Sequence, residues 1–135
     1  RFSKCLYFST NALARKVEKI AVENWKPIGL APSHAYLLMM VLDNPGVQPG
    51  SIAEEMQLTP STITRLIEKL EEKKLVVRTT EGKLTNVYPT PKGKELLPKM
   101  KHCMDDFYKQ YTAILGTEES MRMVQNINKL TDKLG

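Results

Sequence analysis

The sequence predicts a mainly α-helical chain with one small β-hairpin, and three stretches carry that expectation. Residues 58–78, LTPSTITRLIEKLEEKKLVVR, open with Thr59 and Pro60, a capping residue followed by a proline whose fixed φ suits the first helical position. Ile63, Leu66, Ile67 and Leu70 then recur at the i, i+3, i+4, i+7 spacing of one apolar helix face. Upstream, residues 51–56 read as a short helix joined through Gln57-Leu58-Thr59, a turn of the length used in helix-turn-helix units. Downstream, residues 75–80 and 84–88 read as two strands around Glu81-Gly82-Lys83, where the glycine signals a hairpin. Together they make a winged helix-turn-helix lobe, with further helices at both ends of the chain.

In chain order, residues 2–23 form the first predicted helix, with Phe2, Leu6, Leu13, Val17 and Ile20 on one side and Lys4, Lys16, Lys19 and Glu23 on the other. The segment 25–29, WKPIG, should break it. Pro32 starts a second helix whose apolar residues fall on every side, the mark of a centrally buried helix, and Asn44-Pro45-Gly46 ends it. Ala31 is a weak cap there, with Ser33 near enough to help. Past the wing, Thr90 caps and Pro91 begins a long helix striped by Leu96, Leu97, Met100, Cys103, Met104, Phe107, Tyr111, Ile114 and Leu115. Pro98 should kink or break that helix near Leu97. Gly116 stops it, and Thr117 is expected to cap a last helix carrying Met121, Val124, Ile127, Leu130 and Leu134.

Composition narrows the partners. The 135 residues are one domain's worth of chain, with a formal charge of +5 and a pI near 9.2 that suit an anionic partner. The excess is uneven: residues 44–78 carry five basic against five acidic side chains, residues 79–101 five against two, and residues 1–31 six against two. No long uncharged apolar stretch exists and no signal peptide is read, so no membrane contact is expected and a cytoplasmic location is. Cys5 and Cys103 are too few for a disulfide framework. Neither HExxH, CxxC nor a glycine-rich phosphate loop occurs, which argues against an enzyme and against a bound cofactor. His102, Cys103, Asp105 and Asp106 offer metal-ligand chemistry, but neighbours on a helix point about 100° apart, and no metal site is expected.

The outer face of the helix within residues 58–78 carries Ser61, Thr64, Arg65, Glu68 and Glu72, flanked by Thr62 and Lys69. Short hydroxyls reach phosphates and base edges, and a guanidinium binds guanine bidentately, so this face suits a DNA major groove. The same pattern also describes a plain solvated surface.

The segment 30–93 resembles the DNA-binding lobe of the MarR family of bacterial transcription regulators, whose recognition segment reads close to LxxSTVTRLIxxLExxGLVxR. The chain matches at Leu58, Ser61, Thr62, Thr64, Arg65, Leu66, Ile67, Leu70, Glu71, Leu75, Val76 and Arg78, and has Lys74 in the glycine's place. Glu81-Gly82-Lys83 stands where that family's wing carries DxR, and Pro89 to Gly93 where it closes with LTxxG.

The resemblance implies a single unit over 1–135: a DNA-binding lobe at 30–93 and dimerisation helices at 1–29 and 94–135. It implies a homodimer, acting as a repressor on palindromic double-stranded DNA and released by a small ligand or an oxidant. Expected DNA contacts are Ser51, Ser61, Thr62, Thr64, Arg65, Lys69, Arg78 and Lys83. A pocket for a small aromatic ligand is expected from Arg15, His34, Tyr36, Met40 and Met104, with Arg15 as the clamp for an acid. Cys5, beside Lys4 at the start of the first helix, resembles the oxidised cysteine of the family's peroxide sensors; otherwise it is a small hydrophobe of that helix. The alternative for the whole chain is a winged-helix protein interaction module without DNA affinity.

Overall fold

The structure, a computed structural model, describes residues 2–135. Four helices, α1 (Leu6–Trp25), α2 (Pro32–Asp43), α3 (Pro49–Met56) and α4 (Pro60–Glu72), precede an antiparallel hairpin of β1 (Val76–Glu81) and β2 (Leu84–Pro89). Three follow it: α5 (Pro91–Glu95), α6 (Leu97–Leu115) and α7 (Thr117–Leu134). A 3-10 turn at Lys26–Ile28 leads from α1 towards α2.

The core forms around α2, as its all-round apolar pattern requires. Ala35, Leu37, Leu38 and Val41 are fully buried, and α2 packs on α1, α4, α6 and β2. Ile52 of α3, Ile63, Ile67 and Leu70 of α4, and Val76 and Val87 of the hairpin close the same cluster. Removing a large aliphatic side chain from water contributes roughly 1.5–3 kcal/mol, so α2 and α4, with three such residues each, hold the lobe more than α3, β1 and β2, with one each. Val47 pairs with Val87 as an isolated bridge, giving the wing's base a third, one-residue edge. At the wing's tip Glu81 faces Leu84, leaving a two-residue turn in which Gly82 takes φ 64°.

Several ends differ from the sequence reading. α1 starts at Leu6 rather than residue 2, so Cys5 is its extended N-cap residue. Trp25 lies inside α1, not in the break, because its fully buried indole packs edge-on against Tyr36, ring centres 5.5 Å apart. α2 has no side-chain cap, from Ser33 or otherwise. Thr117 is the first residue of α7, and Gly116, at φ 83° and ψ 162°, takes the cap position. The break before Pro98 falls at Leu96, dividing the long helix into α5 and α6.

The end of α4 is built tightly. Lys74 adopts φ 61°, donating its backbone N–H to Glu71 O (2.8 Å) while Leu75 donates to Leu70 O (2.9 Å), the paired bonds of a Schellman motif in which glycine is usual. α5 then docks on that end: Thr90 Oγ1 donates to Lys74 O (2.7 Å), Thr90 N–H to Leu75 O (3.0 Å) and Lys92 Nζ to Lys73 O (3.0 Å). Gly93 makes this approach possible, since a Cβ there would run into the Leu75 carbonyl oxygen.

Candidate nucleic-acid interface and an adjoining groove

α4 is two-sided. Ile63, Ile67 and Leu70 face the core, Thr62, Thr64 and Leu66 are half-buried at the edges, and Ser61, Arg65, Glu68 and Lys69 are exposed. Thr59 holds the helix start by accepting from Thr62 N–H (3.4 Å), and its hydroxyl lies 2.9 Å from Thr62 Oγ1 and 3.3 Å from Ser61 Oγ. Thr64 Oγ1 turns back to donate to Pro60 O (3.0 Å), which leaves its oxygen free only as an acceptor. Arg65 therefore carries the one exposed positive charge in the first two turns of α4, and among the described residues no carboxylate pairs with it.

The other expected contacts divide. Ser51 is exposed on α3, and Lys83 is exposed at the wing's tip, where among the described residues no carboxylate pairs with it. Lys69 is held 3.7 Å from Glu72. Arg78 is a strut: its Nη2 lies 2.8 Å from Glu71 Oε1, joining β1 to α4, with both side chains about one-third exposed. A DNA phosphate would have to compete with Glu71 for that guanidinium.

The residues expected to hold a ligand do not all meet. Tyr36, Met40 and Met104 line a groove of about 400 Å³ between α2, α3 and α6, whose walls include Met39, Leu42 and Leu97. Arg15 and His34 are not among its lining residues; Arg15 is exposed on α1. His34 stands near the end of α4, where burial and the charges of Lys69 and Lys73 lower its pKa. In their place the groove has Asp43, Glu55 and Lys101. Nothing local in the sequence marks these three; only Lys101, one helical turn before Met104, sits at a spacing that shares a face with an expected residue. Burial and then Tyr111 raise the pKa of Tyr36.

Cys5 is exposed, whereas Cys103 is buried, with its thiol pushed up in pKa by burial and by Asp106. His102 and Asp106 pair at 3.4 Å, but no cluster of three metal-ligating side chains exists among the described residues. Nor is any described helix long and apolar enough to cross a membrane.

A buried-faced second helix after a short left-handed turn, followed by a hairpin on the same core, defines a winged helix-turn-helix protein. Residues 28–83 match the model of the MarR family, and over that segment the chain is similar to its members. It is 28% identical over 78 residues to the HTH-type transcriptional repressor MdtR of Bacillus subtilis, across 58% of this chain and only half the length of that relative. A MarR-family transcriptional regulator from Rhodococcus sp. RHA1 has the same fold, with a TM-score of 0.88 at 23% identity over 96% of this chain and 94% of that one. So does the transcriptional repressor CouR bound to a 23-mer DNA duplex, with a TM-score of 0.88 at 19% identity and the same coverage.

Proposed function

We propose that this chain is a sequence-specific DNA-binding transcription regulator, a repressor that acts as a homodimer on a palindromic site. The observation that carries the reading is the sidedness of α4: its apolar face is spent on the core, while Ser61 and the unpaired Arg65 stand outward beside a lysine-tipped wing. Arg65 is the base reader in this reading, and Ser51, Ser61, Thr62, Thr64, Lys69 and Lys83 position the duplex. Support also comes from the relatives, of which MdtR is a repressor and CouR has been seen on DNA. The exposed apolar stripes of α1 and α7 supply the surface for a second copy, and two-fold symmetry then matches a palindrome. Release comes from a small ligand in the groove beside α3, or from oxidation of the exposed Cys5.

The test is binding of the full chain to a duplex selected from genomic fragments and to a random duplex over a range of salt. A log-log slope of about −0.9 per phosphate contacted is expected. The Arg78–Glu71 pair and the even charge of residues 44–78 favour a second reading, a winged-helix interaction module. Absence of duplex binding at low salt would establish that reading and end the first.

A further inference from the structure

The groove between α2, α3 and α6 has a charge opposite to that of the chain around it. Its apolar surface is Tyr36, Met40 and Met104, and the charged groups on it are Asp43, Glu55 and Lys101. A second recess shares Met40 and Glu55 with it, and adds Glu54 and Asp132 but no basic residue. The joined trough thus has four carboxylates against one ammonium, in a protein whose net charge is +5. Among the described residues no ion pair neutralises any of the four. Concave apolar walls of one sign concentrate the field and raise the local concentration of the opposite charge. An aromatic acid finds little to hold it there, because Arg15 is not in the lining and the one ammonium, Lys101, shares that lining with two carboxylates.

We propose that this groove binds a lipophilic organic cation, with its apolar body against Tyr36, Met40 and Met104 and its charge between Asp43 and Glu55. Methionines adapt to irregular apolar bodies, and the face of Tyr36 attracts a cation through the ring quadrupole. The proposal takes the groove as the ligand site of the regulator reading, but binding itself can be measured without DNA.

Tetraphenylphosphonium and tetraphenylborate have nearly the same shape and opposite charge, so comparing them isolates the sign of the site. Each is titrated into the full chain and followed by equilibrium dialysis and by the fluorescence of Trp25, the only tryptophan, which packs on Tyr36. The phosphonium is expected to bind about tenfold or more tighter than the borate. The pair of exposed substitutions Asp43→Asn and Glu55→Gln should weaken the phosphonium about tenfold and shrink the difference. Met40→Ala should weaken both ions. Equal or tighter binding of the borate, failure of both to bind, or no effect of the paired substitutions would overturn the proposal. A groove closed by a second copy would appear as failure of both ions, with the paired substitutions shifting the oligomeric state in sedimentation. Duplex binding on the same samples separates the two claims. Cation binding without any duplex binding rejects the regulator reading alone, and duplex binding without cation preference rejects the groove alone.

Discussion

Arg65 and Lys83 are both exposed cations, yet they should fail in different ways. Arg65 stands on the outer face of α4 two turns or less from its start, where a planar guanidinium can meet a guanine edge; Lys83, at the wing's tip, offers a point charge. Arg65→Ala is expected to cost about 1–3 kcal/mol on the selected duplex and far less on a random one. Lys83→Ala should weaken both alike and reduce the salt slope by about one per site. Polarisation titrations of two variants on two duplexes decide it, and equal losses for Arg65→Ala would make that residue a phosphate clamp. His34 gives a second expectation, in stability. Its pKa is held below the ordinary 6.5, so as pH falls through that value the unfolded chain takes up a proton that the fold resists. Stability is complete above that pH and declines below it. Urea midpoints at about pH 7.5 and about pH 5.5 should show the decline, and His34→Gln should reduce it.

At the scale of elements, the junction of α4 with α5 sets how α4 is held against the hairpin. Lys74 sits in the left-handed region, which costs a side chain with a Cβ about 1 kcal/mol, while its two Schellman bonds hold it there. Lys74→Gly should therefore raise unfolding stability, by up to about 1 kcal/mol once the greater freedom of glycine in the unfolded chain is set against it. Gly93→Ala should do the reverse. Its methyl would push α5 off the Leu75 carbonyl and strain Thr90 and Lys92 from their carbonyl partners, at a cost of about 1–3 kcal/mol. Gly50→Ala in α3, with nothing within 4 Å of the added carbon, is the control and should be neutral or slightly stabilising. Denaturant unfolding of the three variants with unchanged m-values checks all of these.

The whole molecule leaves apolar helix faces uncovered. Leu6, Leu13, Val17 and Ile20 of α1 and Met121, Val124, Ile127, Leu130 and Leu134 of α7 are exposed, and Ile114 at the end of α6 is 81% exposed. Contiguous patches of this kind mark association surfaces, and an obligate interface leaves no stable subunit behind. Sedimentation of the full chain should show a dimer at micromolar concentration, and removing residues 117–135 should give monomers or aggregates. A well-folded monomer of the full chain would overturn the homodimer.

Much of the fold is written locally, and the sequence alone determined those parts. Thr59-Pro60 and Thr90-Pro91 start helices where their side chains bond the Thr62 and Gly93 backbone N–H groups, and Pro98 divides α5 from α6, because caps and prolines act within one turn of themselves. The period of Ile63, Ile67 and Leu70 likewise assigned the inner face of α4, and with it the outward position of Ser61 and Arg65. What only the tertiary structure decided depends on residues far apart in the chain. Arg78 is drawn to Glu71 by the way β1 returns along α4, and Trp25 is kept helical by Tyr36. Asp43, Glu55 and Lys101 come from three different helices to set the charge of one groove, and His34 and Arg15 are left outside it. Periodicity fixes which way a side chain points from its own helix; which side chains then meet across space is fixed by how the helices pack on α2.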